Sequence, residues 1–458
     1  MTICKTKMMR IVAVLCLGFV FTNICQAIEK PLSKDDNSNK LAIQLIGIGT
    51  IAGTAKDGSG LHEELVPAVG TSDDEIPAGR KFYNDMFGGI SAIAWTGTDD
   101  FYWMLPDRGP LDGAVDWACR IEKVRIKIDV NGQTPVEIVP VETIMLKNRD
   151  GLTFTGLASA YHATKEHSRR LDPEGIRVGR NGNLFISDEY GPRIIEFTVD
   201  GEFVRELDVD QRYLASNPGV SHLTENTLNK SGRSTNRGME GLAIADNGKH
   251  LVGLMQSPLL QDSYRKTPSD FPAGINCRMP VMDTTGDCVC EYLYQLDNPK
   301  NKLNEILSCD KDQFVVIERD GKIGEAAKYK KLMLVSSAHA TNIQGVDQLP
   351  HFRVPEGALP MHKEVLIDLL DPSLGLAGTE MPEKIEGLAF GPDIDNQHRL
   401  LLVVSDNDFV PEQKTVIYAF AIPKSKLAST ETRLTGVCLL YTSPSPRDQR
   451  GSRMPSSA

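Results

Sequence analysis

One unit recurs along the chain, and nothing else in the sequence restricts the fold as tightly. A polar or acidic residue precedes a glycine; an apolar alternating strand, a turn, a second strand and a polar tip follow. The first copy is Phe87-Gly88-Gly89-Ile90-Ser91-Ala92-Ile93-Ala94, with tip Leu105-Pro106-Asp107-Arg108-Gly109. Asp172-Pro173-Glu174-Gly175-Ile176-Arg177-Val178 leads to the tip Ile186-Ser187-Asp188-Glu189-Tyr190, and Met239-Glu240-Gly241-Leu242-Ala243-Ile244 leads to Met255-Gln256-Ser257-Pro258. A looser copy, Asn304-Glu305-Ile306-Leu307, runs to Val316-Ile317-Glu318-Arg319-Asp320. The last, Ile385-Glu386-Gly387-Leu388-Ala389-Phe390, runs to Val404-Ser405-Asp406-Asn407-Asp408.

With Gly89, Gly175, Gly241, Ile306 and Gly387 as markers, the copies lie 86, 66, 65 and 81 residues apart, about 75 on average. That period is too long for most helical solenoids, and its segments alternate with period two, so the sequence predicts an all-β fold, a β-propeller with long inter-strand insertions. Residues 28–436 hold about 5.5 such units. Six blades is the first expectation, with five or seven compatible. A two-sheet sandwich would not require the self-similarity. Arg180-Asn181-Gly182-Asn183, Val199-Asp200-Gly201-Glu202, Ala245-Asp246-Asn247-Gly248 and Arg319-Asp320-Gly321-Lys322 read as turns supplying left-handed residues. The 39 Gly and 26 Pro agree with many short strands.

The ends read differently. Lys5, Lys7 and Arg10 precede the apolar run Ile11 to Phe21, and Cys25-Gln26-Ala27 provides a cleavage site, so residues 1–27 are expected to be a secretory signal with Ile28 first in the mature chain. The run is shorter than the ~20 residues of a spanning helix. A secreted or periplasmic protein without a membrane span follows. Residues 437–458 break the composition and resemble a translated sequencing-library adapter; a native disordered tail is the alternative. In an oxidising compartment, Cys277, Cys288, Cys290 and Cys309 are expected to form disulfides rather than a zinc site, leaving Cys119 buried and unpaired.

Charge narrows the partners. With 50 Lys and Arg against 61 Asp and Glu, the net charge is -11, which argues against nucleic acid as a ligand. In a propeller the start of each first strand and the loop after the second reach one face, so the repeat gathers acids there. Glu174, Glu240, Glu305 and Glu386 begin strands, and Asp107, Asp188, Glu189, Glu318, Asp406 and Asp408 stand at tips. Such carboxylates raise one another's pKa, and a cation would relieve them. Oxygen ligands favour Ca²⁺, or Mg²⁺ or Mn²⁺, over zinc. The metal set drawn from these is Glu174, Glu240, Glu386, Asp188, Glu189 and Asp406; the alternative for each Glu is a bond to backbone amides between blades. Arg108, Arg237 and Arg319 adjoin the acids and suit either inter-blade ion pairs or an anionic substrate.

Other chemistry lacks its motifs. There is no Gly-x-Ser-x-Gly elbow and no glycine-rich phosphate loop. His162 and His167 read as surface residues, Lys165 to Arg170 as a solvated loop, and Trp95, Trp103 and Trp117 as packing.

The motifs taken together, from Gly88-Gly89-Ile90 through Pro106-Asp107-Arg108-Gly109-Pro110, Asp172-Pro173-Glu174-Gly175, Ser187-Asp188-Glu189, Met239-Glu240-Gly241, Ile317-Glu318-Arg319-Asp320-Gly321, Ile385-Glu386-Gly387 and Val404-Ser405-Asp406-Asn407-Asp408-Phe409, resemble the phytase-like proteins described as having phytase esterase-like activity. The resemblance spans about Leu45 to Pro423 and implies a single domain over residues 28–436. It also implies a hydrolase of phosphoric monoesters acting on a small polyanionic substrate, with Arg108, Arg319, Asp107 and Glu318 as catalytic residues and Ca²⁺ held by the channel acids. A lactonase or carboxylesterase propeller with a channel-bound divalent ion, and a binding or scaffold propeller, remain as alternatives. A monomer is expected.

Overall fold

The computed structural model describes residues 42–68, 80–161, 168–218, 222–268 and 270–428. The expected signal segment, residues 437–458, His162, Lys165 and His167 lie outside them. Twenty strands form, in chain order: β1 (Gln44–Ile51), β2 (Ile90–Trp95), β3 (Phe101–Pro106), β4 (Arg120–Ile128), β5 (Val136–Met145), β6 (Pro173–Val178), β7 (Leu184–Asp188), β8 (Arg193–Phe197), β9 (Phe203–Asp208), β10 (Met239–Ala245), β11 (His250–Met255), β12 (Asn276–Asp283), β13 (Cys288–Gln295), β14 (Lys302–Ser308), β15 (Gln313–Arg319), β16 (Lys330–Ser336), β17 (His362–Asp368), β18 (Lys384–Asp393), β19 (His398–Asp406) and β20 (Thr415–Pro423). They build five four-stranded antiparallel sheets, β2 to β5, β6 to β9, β10 to β13, β14 to β17, and β18 to β20 closed by β1. These are blades 1 to 5 of a β-propeller.

The blade number is five, not the six first expected. Each repeat copy makes one blade, and the additional length that suggested more sits in connections, chiefly residues 52–89 between β1 and β2. The ring closes because the first strand completes the last blade: Gln44 opposes Ala421 and Ile51 opposes Thr415. No helix among the described residues is long and apolar enough to cross a membrane.

The inner strands are buried on both faces because each blade is covered by two neighbours, whereas the outer strands β5, β9 and β17 are largely exposed or half-buried. Ile176, Leu184, Ile186 and Ile195 pack on Ala92, Leu105 and Ile121 between blades 1 and 2. Val315, Leu332 and Leu334 pack on Leu388, Leu401 and Phe420 between blades 4 and 5. Burial of this kind yields roughly 25 cal/mol per Å² of apolar surface. Trp103 and Trp117 are buried in such clusters and Trp95 packs beside one, as expected. The turn Ala245 to Gly248 is left-handed at Asp246, Asn247 and Gly248. The segment from Arg319 to Lys322 is not a hairpin turn; Gly321 is not left-handed, and the chain there enters the longer connection to β16. Arg170 is buried, with its guanidinium 4.4 Å from the Tyr190 ring centroid, and is not part of a solvated loop.

The expected disulfides are absent: Cys277, Cys288, Cys290 and Cys309 are free, as is the buried Cys119. Their strands explain why. Met282 opposes Cys288 while Val281 opposes Cys290, so a bulge lies between the two cysteines. Cys288 therefore packs between blades 2 and 3, Cys290 between blades 3 and 4, and Cys309 between blades 4 and 5. Cys277 shares the cluster of Cys290 but sits four residues along from Val281, roughly 13 Å at strand spacing. A disulfide needs its Cα atoms within about 7 Å.

Glycine in the repeat has a specific cause. A Cβ on Gly241 would lie 2.8 Å from the backbone nitrogen of Ile306 on the next inner strand; on Gly175 it would lie 2.8 Å from Leu242 Cβ, and on Gly387 3.2 Å from the Ala92 carbonyl carbon. The inner strands approach too closely for a side chain at these points. Gly241→Ala is therefore expected to destabilise the fold by about 1–3 kcal/mol, the usual range for overpacking. A melting midpoint equal to that of the unsubstituted protein would show that the ring has slack.

Candidate functional site

Every inner strand begins with a β-bulge. The register skips one residue at Ser91 in β2, at Glu240 in β10 and at Glu386 in β18, and two at Glu174-Gly175 in β6 and Asn304-Glu305 in β14. A bulge turns the extra residue out of the ladder. The corresponding positions are Ser91, Glu174, Glu240, Asn304 and Glu386. Asn304, rather than the expected Glu305, joins this ring: its Nδ2 donates to Glu240 Oε1 at 2.8 Å and to Glu386 Oε1 at 3.0 Å. Glu305 instead meets Arg177 at 2.9 Å and accepts from the Leu242 and Ile306 amides.

Arg177 reaches three blades. From β6 it donates to the Ile93 carbonyl of β2 at 3.1 Å and to the Ile306 carbonyl of β14 at 2.8 Å. Burial drives the Glu305 carboxyl up to about 7 against the pull of Arg177.

The second-strand ends meet the inner-strand starts, as Pro106 opposes Ile90, Asp188 opposes Pro173 and Asp406 opposes Lys384. The tips therefore share one end with the ring, as expected from the repeat. There Asp172, Glu174 and Glu189, all buried, hold carboxylate oxygens within 4.8 Å of one another, the only such group of three acid, His or Cys side chains among the described residues. Asp172 was visible in the repeat motif but not selected; its position two residues before Glu174, at the strand entrance, was the available signal.

The electrostatics follow from this crowding. Burial, then the Glu240, Asp172 and Glu189 carboxylates, raise Glu174 well above the usual carboxylate range. Asp172 is pushed to about 6 by burial and Glu189, with Arg108 opposing. Asp107 is raised by burial and Asp406, and Glu240 by burial, Glu189 and Glu386.

The other expected residues occupy distinct settings. Asp188 is bound to Arg193 Nε at 2.6 Å and accepts from the Asp172 and Tyr190 amides, outside the triad. Glu240 takes Gln256 at 2.7 Å besides Asn304, and its Oε2 has no partner among the described residues. Glu386 binds Arg319 at 2.6 Å. Asp406 binds Lys384 at 3.0 Å, and Asp408 binds the same amine. Asp107 Oδ1 accepts from the Gly109 amide at 2.8 Å. Glu318 points elsewhere: it accepts from Tyr294, the Asp297 amide, Asn301 and Lys363, all between 2.7 and 2.9 Å.

Residues 85–409 match the Phytase-like family model, described as esterase-like activity of phytase. The chain belongs to this family. A relative of the phytase-like chain, named an uncharacterized secreted protein, from Arthroderma benhamiae, is 26% identical over 344 residues, covering 62% of this chain and 64% of that one, less than two thirds of its length. Among solved structures, virginiamycin B lyase from Staphylococcus aureus shares 12% identity over 73% of this chain and 96% of its own, with a TM-score of 0.29. The major Malassezia sympodialis allergen Mala s 1 shares 7% over 72% and 92%, also at 0.29. Likeness that distant carries no argument about function.

Arg108 ties blade 1 to blade 2. It meets Asp172 Oδ2 at 2.5 Å, Asp112 at 2.9 Å and Asn236, with Glu189 at 3.7 Å. Burial opposes its charge, but the Asp172, Asp112 and Glu189 carboxylates outweigh this and hold the guanidinium above its ordinary range. Arg108→Lys keeps the charge and loses the fork, so the melting midpoint should fall and any loss of turnover should follow the folded fraction. Arg108→Met should destabilise by about 3–5 kcal/mol, as for one partner removed from a buried pair. Unchanged midpoints in both variants would remove the tie.

Proposed function

We propose that this chain is an exported, metal-dependent phosphomonoesterase of the phytase-like type, acting on polyanionic phosphate esters. The observation that carries the reading is the buried Asp172, Glu174 and Glu189 triad at the channel end. Export is supported by the basic and apolar N-terminal segment and by the name of the Arthroderma relative.

The triad fits a hard divalent cation, Ca²⁺ first and Mg²⁺ or Mn²⁺ otherwise. Its donors are all carboxylate oxygens, and the raised Glu174 reports like charges confined away from water. A divalent ion there would supply charge neutralisation for a phosphoryl oxygen and a lowered pKa for a coordinated water. The chain's own groups complete the chemistry. Asp107, whose carboxyl burial and Asp406 push well above the usual carboxylate range, is suited to give a proton to the leaving oxygen. Arg108 fixes Asp172 and acts as a positioning residue, while Glu386 holds one arm of Arg319. Glu318, saturated by four donors, serves the blade interior.

Ca²⁺ added to metal-stripped protein should raise the melting midpoint, by the equivalent of about 2.7 kcal/mol at a hundredfold excess over Kd, and Glu174→Gln should weaken the response. Cation and proton compete for acids whose pKa is raised, so affinity should increase from pH 5 to pH 7 as Asp172 passes through about 6. An unaltered midpoint in millimolar Ca²⁺ would sink the metal site. Hydrolysis of nitrophenyl phosphate and nitrophenyl acetate, each with and without chelator, separates phosphomonoesterase from carboxylesterase; activity on neither ester favours a scaffold.

A further inference from the structure

Blades 3 and 4 and the loop before them bring three cations to the same end as the triad. Arg319 ends β15 and opposes Lys302, the first residue of β14. Arg237 stands two residues before β10; the amide of its neighbour Gly238 donates to Glu189 Oε1 at 2.9 Å, which brings the backbone there beside the triad, and the Arg237 guanidinium lies 5.7 Å from the Phe271 ring centroid. Arg319 is 1% exposed; its Nη2 is taken by Glu386 and its Nη1 donates to the Asp320 carbonyl at 3.4 Å, whereas its Nε has no partner among the described residues. Arg237 and Lys302 are half-buried, and neither has a hydrogen-bonded or ion-paired carboxylate among the described residues. Their neighbours differ: Lys384 has Asp406 and Asp408, and Arg108 has Asp172 and Asp112.

Three positive groups withdrawn from water repel one another, and of the carboxylates near them, Glu189, Glu240 and Glu386, Glu386 alone is bonded to one of the three among the described residues. Burial, Arg237 and Arg319 together pull Lys302 down to about 8, with Lys384 adding to the repulsion and Glu240 opposing it. Burial likewise lowers Arg237, with Arg319 adding to it and Glu189 and Glu240 opposing. An anion removes this penalty. Guanidinium groups suit the bidentate geometry of a phosphate, and the lysine adds a point charge.

We infer that Arg237, Lys302 and Arg319 form an anion subsite that takes a phosphate group beside the carboxylate triad. The chemistry recognised is a phosphate dianion, either the second phosphate of an ester or free phosphate. Assigning it to a substrate rests on the phosphomonoesterase reading; the subsite itself does not.

The test is calorimetric titration of inorganic phosphate into the chelator-treated full chain at low salt, where no turnover occurs. Binding is expected, and Arg237→Gln and Lys302→Gln should each weaken it about tenfold or more, while Lys302→Arg retains it. Absence of binding by the unsubstituted chain, or undiminished binding by both glutamine variants, would overturn the subsite. Salt gives a readout that needs no variant: binding that persists unchanged in about 1 M NaCl, where the Debye length is about 3 Å, would also overturn it. With Ca²⁺ present, an alkyl bisphosphate that binds at least tenfold tighter than the alkyl monophosphate, an advantage lost in Lys302→Gln, assigns the subsite to a second substrate phosphate. Equal affinities alongside intact inorganic phosphate binding assign it to free phosphate. Intact phosphate binding without any ester hydrolysis sinks the phosphomonoesterase reading alone.

Discussion

Five inner strands share one axis, and their spacing governs the rest of the molecule. At Gly241 the next strand's backbone is so near that a single Cβ has no room, and Gly175 and Gly387 repeat the condition on other blades. The bulged residue that precedes each of these glycines leaves the ladder, because the bulge places two residues opposite one. Acid and glycine in the recurring Glu-Gly pair thus answer one constraint. Glycine permits the approach, and the adjacent bulge presents the carboxylate at the channel end.

That geometry also decides how charge is distributed. Arg177 reaches blades 1 and 4 from blade 2, so the axis is bridged by a guanidinium that satisfies inner-strand carbonyls just past the bulges. Beyond this bridge the ends of β3, β7, β15 and β19 deliver tips of unequal character. Blades 1 and 2 contribute Asp107, Asp172, Glu174 and Glu189 together with Arg108; Arg237, Lys302, Arg319 and Lys384 come from the approaches to blades 3 to 5 and from the blades themselves, alongside Glu240, Glu386, Asp406 and Asp408. A purely acidic end would repel a phosphate, and a purely basic one would not hold a divalent ion. On the proposed reading the carboxylate triad takes the ion and the cations take the phosphate.

The sequence made the fold class readable because apolar alternation and Glu-Gly pairs survive in blades 2, 3 and 5 without any need for long-range information. Blade 4 blurred the pattern. Its bulge spans Asn304 and Glu305, and spacing alone favours the acid, whereas the ring takes the amide. In blade 1 the register position matching Gly241 is Ala92, three residues beyond the Gly89 marker, because Gly89 belongs to the strand entrance. Blade number was obscured by connection length, which no strand pattern encodes. Glu318 looked like a tip acid from its place before Arg319, but alternate residues of a strand face opposite sides. Arg319 faces Glu386, and Glu318 faces Tyr294 and Lys363. The cysteines illustrate the same limit, since one bulge in β13 sends Cys288 and Cys290 to different interfaces.

Unsatisfied polar atoms mark where this architecture departs from a purely structural optimum. Most buried polar groups in folded proteins have partners, so exceptions require a cause. In this propeller Ser91 Oγ, Glu240 Oε2, Gln256 Oε1, Asn304 Oδ1, Arg108 Nε and Arg319 Nε at the channel end are without partners among the described residues, as are Gln313 Oε1 and His398 Nε2 at the far ends of β15 and β19. At the channel end these orphans come with buried charge, and apolar residues of similar volume would pack there without the desolvation penalty. Arg193, in contrast, is bound to Asp188 and Glu206 at 2.6 and 2.8 Å, as an ion pair serving blade stability should be. The contrast separates two settings of charge in this molecule: Arg193, with both of its carboxylates bonded, and the bulge and tip groups of the channel end, where Glu240 and Arg319 each keep a buried polar atom without a partner among the described residues.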